Sequence, residues 1–243
     1  MSETAPCKGL DAADCTALSG LLADLAGCGP DLPLIAPVLL LGQPELAAAA
    51  RALRAPQGLS ALHESQRIER LGPLPLDQPL TLRHAGQAGD FWLEMDGPDG
   101  PAVRLETRIR FALPEQMQGL KGARFTDRMA GAGTRWARAA PLDATVIARY
   151  LDLSRDDNPI HRDAAAAMAG GFPGVVVPGM LMAGLAECAA YSAETKTQSL
   201  AVRFMASVPV DTALDMAVVP RGAGARVFTL LPDRTIAAIT DLA

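Results

Sequence analysis

The chain passes through the same order of textures twice, and that constrains its fold more than any other feature. Residues 11–26 (DAADCTALSGLLADLA) repeat apolar positions at helical spacing, and residues 45–54 (ELAAAARALR) read as a second helix. From about Ser60 the pattern changes to short apolar runs broken by Gly, Pro and Asp. LHESQRIERL, LTLRH, DFWLEM and AVRLETRIRFAL are the strands this predicts, with DGPDGP (Asp96 to Pro101) as a turn between two of them. Residues 114–134 lose the periodicity and gain Gly and charge, so they read as a linker. The order then recurs. PLDATVIARYLDL and MLMAGLAECAAY read as helices; QSLAVRFMASVPV, ALDMAVVP, ARVFTLL and TIAAITDL read as strands. PLPLDQPLTL (73–82) lies over SVPVDTALDM (207–216) without a gap, so that Pro75 meets Pro209, Asp77 meets Asp211 and Leu80 meets Leu214. Duplication of one α+β unit explains both facts. It divides the chain into a domain at 1–113, a linker at 114–134 and a second domain at 135–243.

Composition removes several function classes. The 243 residues are 49% apolar, enough for a sizeable core and too much for general disorder. A net charge of −5 gives no electrostatic footprint for nucleic acid. Cys7, Cys15, Cys28 and Cys188 form no CxxC pair; they fit free thiols in a reducing compartment rather than a zinc site. The start MSETAPCKG lacks the basic and apolar regions of a signal peptide, and PLIAPVLLLG is too short to span a bilayer. The expectation is a cytoplasmic protein.

One stretch has no counterpart in the other half. SRDDNPIH, from Ser154 to His161, joins a carboxylate and a scarce imidazole through an Asn-Pro turn, and the chain holds only three histidines. Pro159 fixes its own φ and pushes Asn158 out of the helical region, while Asn158 can bond its nearby backbone. Such a turn can bring Asp156 and His161 to one water molecule, as a general acid–base pair requires. Asp163, standing before AAAAM, reads as a helix cap, and Asp157 as a solvated bystander. His63 and His84 fall in strand-like segments and read as solvated or core-edge histidines, dispensable for turnover.

A second stretch supplies an electrophilic site. GGFPGVVVPGMLMAGLAECAA (170–190) is a Gly/Pro-rich entry into an apolar helix, with Gly179 in its first turn. Backbone N–H groups there lack helical partners, the helix dipole is positive, and Gly lets a ligand come close. A developing oxyanion would be stabilised at that point.

Jointly, DDNPIHRD and the GFPGVVVPGML helix entry, which sets Gly179 eighteen positions beyond His161, resemble the MaoC-like, (R)-specific enoyl-CoA hydratase family. Its motif runs Asp-x-Asn-Pro-x-His and is followed at this distance by a His-Gly-Met helix start. The resemblance is close over about 141–185, looser in the last strands and faint in the first half. It implies a tandem hot-dog fold, each copy a helix wrapped by a curved antiparallel sheet, with a degraded first copy. It implies Asp156 and His161 as catalytic dyad, Gly179 as oxyanion donor and Asn158 as the residue shaping the site. The implied reaction is reversible addition of water across a trans-2-enoyl thioester of CoA or acyl carrier protein. It needs no metal or redox cofactor, and a homodimer of such chains is a further expectation. Lys196, Arg203 and Arg226 are basic residues that could meet CoA phosphates, although surface solvation is the simpler reading of each.

Three positions depart from the family pattern. Arg155 replaces a small residue before the dyad and is expected to face solvent; Pro178 replaces the His before Gly179; Glu187 lies about two turns beyond Gly179. An exposed helix-end carboxylate and a residue in the pocket both remain open for Glu187. Two other functions fit the fold: a hot-dog thioesterase, which leaves DNPIH unused, and an acyl-thioester-binding subunit without activity.

Overall fold

The structure is a computed structural model and describes residues 3–46, 53–117, 122–192 and 197–243. Strands β1 (Glu3–Cys7), β2 (Ser60–Arg70), β3 (Leu80–Gln87), β4 (Asp90–Gly97) and β5 (Gly100–Ala112) come from the first half. Strands β6 (Arg135–Leu142), β7 (Ser199–Phe204), β8 (Thr212–Arg221), β9 (Gly224–Leu230) and β10 (Ile236–Leu242) come from the second. All ten join one antiparallel sheet in the order β1-β3-β4-β5-β2-β7-β10-β9-β8-β6. From each edge to the centre the two halves repeat one order, since β6, β8, β9, β10 and β7 stand where β1, β3, β4, β5 and β2 stand. They meet at β2 and β7, paired from Ser65↔Arg203 to Glu69↔Ser199.

The ungapped match between the halves has a backbone counterpart. Asp77 and Asp211 both take positive φ, 56° and 62°, where few non-Gly residues sit. The Asp77 N–H donates to Leu10 O at 2.8 Å and the Asp211 N–H to Leu142 O at 2.9 Å. The same strained turn therefore precedes β3 and β8.

Eight of the ten strands match runs read from sequence; β1 and β6 were not foreseen. Both are edge strands. Their sequences, ETAPC and RWARAAPL, carry Pro and Ala and lack the β-branched runs that signal a strand. Pairing along one side alone suffices to hold them.

Helix α1 (Ala12–Ala26) starts on Asp11, which accepts from the N–H groups of Ala13 and Asp14, and ends on Gly27 at φ 80°. Helix α2 (Ala144–Ser154) starts on Asp143, and α3 (Ala164–Ala169) on Asp163. Helix α4 (Gly179–Ala190) buries every residue from Met180 to Ala189. A helix apolar on all sides belongs inside a fold, and α4 packs against β6 to β10 and against α1. The crossing with α1 needs a glycine, since a Cβ on Gly184 would meet Ile35 Cδ1 at 2.8 Å and a Leu22 methyl at 2.9 Å. A helix enclosed by an antiparallel sheet is the hot-dog arrangement.

Two stretches need a fuller account. Most of the helix expected at 45–54 lies outside the described residues, at 47–52; the backbone on either side is 3-10, at Pro44–Leu46 and at Leu53. The segment at 114–134 is not a free connector. Apart from 118–121, which are outside the described residues, it forms a helical turn at Pro114–Met117 and then lies along the second half. Ala123 O accepts from Ile236 N at 2.9 Å, and Phe125 N donates to Arg234 O at 2.9 Å. Phe125 is buried 5.1 Å from the Phe228 ring. Burying one Phe is worth about 1.5–3 kcal/mol, enough to pin a Gly-rich strip that composition alone reads as loose. No helix among the described residues is long and apolar enough to cross a membrane.

Candidate active site

The site grows from the end of α2. Arg155 closes that helix in the left-handed conformation, φ 53°, and turns the chain back. The Asp156 N–H donates to Ser154 Oγ at 3.4 Å, and the Asn158 N–H donates to Asp156 Oδ1 at 3.0 Å. Asn158 Oδ1 accepts from the Ile160 N–H at 3.4 Å, starting a 3-10 turn over Pro159–His161. These bonds fix the carboxylate, engage one of its oxygens and leave Oδ2 toward the imidazole.

His161 is held from the other side. Its Nδ1 lies 2.7 Å from Val176 O. A carbonyl only accepts, so Nδ1 carries the proton and Nε2 presents a lone pair. That Nε2 lies 3.9 Å from Asp156 Oδ2, with side chains 10% and 38% exposed respectively. The gap is too wide for a direct hydrogen bond and lets one water reach both atoms at about 2.8 Å. Asp156 opens onto a groove of about 420 Å³ lined by Leu151, Asp152, Arg155, Asp157 and Arg162. Beneath the turn, Tyr150 is buried, and its hydroxyl is pushed above the ordinary phenol range by burial and then by the Asp156 charge.

The approach to Gly179 is tied to the dyad turn through Val176, whose N–H donates to Ile160 O at 3.3 Å. The Val177 N–H donates to Val208 O at 2.8 Å, anchoring the approach to α4. Gly179 is the first residue of α4, behind Pro178, with no side-chain cap on the first-turn N–H groups. A Cβ here would stand 3.0 Å from the Phe204 ring, which would have to give by a few tenths of an ångström to admit it.

The other singled-out residues fall as follows. Asp163 caps α3 by accepting from the Ala166 N–H at 2.9 Å. Asp157 is 84% exposed and pairs with Arg54 at 3.3 Å. Arg155 is half exposed and pairs with Asp14 of α1 at 3.3 Å, at the edge of the groove onto which Asp156 opens. Glu187 is not a helix-end surface group: it is buried, and both its oxygens accept from the Leu34 N–H at 3.0 and 2.9 Å. Burial pushes its carboxyl up to about 7, against the opposing pull of that N–H and of Arg70. Arg226 is engaged by Asp241 at 2.7 and 2.8 Å, Arg203 is exposed, and Lys196 lies outside the described residues.

The histidines of the first half are not solvated. His84 is buried on β3, its ring 6.3 Å from that of Phe91. His63 packs its ring on Phe204 with centroids 4.8 Å apart, and stands within electrostatic reach of His161. Burial drives its pKa down to about 4. Residue spacing gives no signal for this contact, since it depends on β2 lying beside β7.

The fold is a tandem hot dog whose second copy carries the Asp/His turn and an α4 N-terminus without a side-chain cap. Residues 128–230 match the family model described as MaoC like domain. Among solved structures, HtdX of Mycobacterium tuberculosis shares 17% identity over 99% of each chain, with a TM-score of 0.72. A MaoC-like dehydratase from Phytophthora capsici shares 15% over 100% of this chain and 94% of its own, with a TM-score of 0.70. A protein assigned as an oleoyl thioesterase from Lactobacillus plantarum shares 11% over 100% and 94%, with a TM-score of 0.55. At these identities the likenesses speak for the fold. None of the curated proteins matches by sequence. Residues 128–230 therefore form a MaoC-like domain, set within a chain whose fold matches these structures throughout.

Proposed function

We propose that the protein adds water reversibly across the double bond of trans-2-enoyl thioesters, giving (R)-3-hydroxyacyl products, with CoA or acyl carrier protein as the thiol carrier. The observation that carries this reading is the convergence of Asp156 Oδ2 and His161 Nε2, 3.9 Å apart, with the imidazole tautomer fixed by Val176 O. Two acceptors at that separation orient one water by its two O–H bonds. The water oxygen attacks the β-carbon while the pair takes up a proton, and the pair returns a proton to the α-carbon. Between attack and α-protonation the charge rests on the thioester oxygen, where the Gly179 N–H at the positive end of α4 stabilises it. One such donor is typically worth ~100-fold or more in rate. Each step uses groups of this chain and the acidity that the thioester gives its α-position.

Asn158 acts here through Asp156, by holding the carboxylate oxygen that does not face the water. The first half closes the site from behind, with β2 and Phe204 of β7 forming one wall. Incubation with crotonyl-CoA tests the reading. Hydration removes the enoyl absorbance without freeing thiol. Release of thiol with the enoyl group intact would point to thioester cleavage, and binding without either change to an inactive acyl-binding subunit.

A further inference from the structure

His63 comes from the half that lacks the dyad, yet its ring packs on Phe204 of the other half, within electrostatic reach of His161. It precedes a bulge in β2, where the register against β5 slips between His63 and Ser65. The next pair across the centre of the sheet, Ser65↔Arg203, brings β7 alongside. The His63 ring therefore lies on Phe204 at 4.8 Å, and Phe204 is the ring that shuts against Gly179.

The polar atoms of His63 are unevenly served. Its Nε2 is sealed from solvent and has no hydrogen-bond partner among the described residues. In the neutral tautomer protonated on Nδ1, that Nε2 presents a buried lone pair. A buried acceptor without a donor is a stability cost that a Leu or Phe at the same place would not carry. An unpaired buried polar atom calls for an explanation, and a hydroxyl of a bound ligand supplies one.

We propose that His63 is a substrate-binding residue, its Nε2 accepting a hydrogen bond from a hydroxyl of the bound acyl chain. This rests on the hydration reading. The hydroxyl has two sources: the 3-hydroxyl that hydration creates, or one already carried farther along the chain. The first makes His63 part of every turnover; the second makes the protein selective for hydroxylated acyl thioesters.

The test compares wild type, His63→Leu and His63→Gln on crotonyl-CoA, on 2-pentenoyl-CoA and on 5-hydroxy-2-pentenoyl-CoA, with thermal unfolding of each variant. His63→Leu should unfold no earlier than wild type, because it removes an unsatisfied atom, and should lose ~10-fold or more in kcat/KM. His63→Gln keeps an acceptor and should recover part of that loss. An equal loss on all three substrates assigns the 3-hydroxyl; a loss confined to the 5-hydroxy substrate assigns the chain hydroxyl. Unchanged turnover in His63→Leu, or equal losses in both variants with lowered stability, would overturn the assignment while wild-type hydration stood. Wild type that hydrates none of the three would overturn the hydration reading and this one with it.

Discussion

Replacing Glu187 by Gln tests how the two halves are locked together. Gln is nearly the same shape and keeps an oxygen for the Leu34 N–H, so the main change is loss of ionisation. In the wild type, burial raises this carboxyl from 4.5 to about 7. A raised folded-state pKa means the folded chain keeps a proton that the unfolded chain has released. Through that window the folded state binds more protons, so stability falls as pH rises. From 4.5 to about 7, at roughly 1.4 kcal/mol per pH unit, the cost reaches about 3 kcal/mol and is fully present above about pH 7. His63 runs the other way. Burial lowers its pKa from 6.5 to about 4, so the unfolded state binds more protons between those values and stability rises with pH there. In the wild type the two slopes oppose each other between about pH 4.5 and 6.5; in Glu187→Gln the rise due to His63 stands alone. Urea unfolding of both proteins at about pH 4.5, 5.5, 6.5 and 8 reads the effect. The stability difference should move by about 3 kcal/mol in favour of the variant across that range. A difference constant to within about 0.5 kcal/mol would refute the claim that Glu187 titrates inside the fold.

Asp156→Asn and His161→Ala should each lower kcat/KM on crotonyl-CoA by at least ~100-fold, and Asp157→Asn should change it little; a worse Asp157 variant would show that the wrong carboxylate has been matched to the imidazole. Gly179→Ala puts a methyl 3.0 Å from Phe204 and presses that ring toward His63. It should cost about 1 kcal/mol in stability and lower turnover ~10-fold, and wild-type kinetics would show that the ring yields freely. Arg155→Gly removes a half-exposed ion pair to Asp14, worth ~0–1 kcal/mol, and relieves the backbone at φ 53°. Crotonyl-CoA and a mesaconyl-type thioester should be affected alike in assays of the variant, and a selective loss above ~30-fold, about 2 kcal/mol, on the second would place Arg155 in the pocket.

Much of the candidate site was legible because its geometry is local. Asp156, Asn158 and His161 are joined by a turn whose bonds all span two or three residues, and an Asn-Pro pair announces such a turn. Asp163 and Gly179 could be read for the same reason, since a helix cap and a helix start are written within one turn of chain. The strands inside the sheet showed in their apolar alternation. β1 and β6 did not, because an edge strand borrows its order from the neighbour it pairs with.

The sequence by itself determined that one α+β unit occurs twice, down to the shared turn at Asp77 and Asp211, and that only the second copy carries an Asp/His turn. Only the tertiary structure decided which faces meet. Pairing β2 with β7 set the His63 ring on Phe204, and packing α4 on α1 settled the open choice for Glu187 by burying it against the Leu34 N–H. The physical reason is range. Capping and turn bonds act between neighbours in sequence, whereas burial and desolvation depend on which distant surface arrives, and here that surface comes from the other half of the chain.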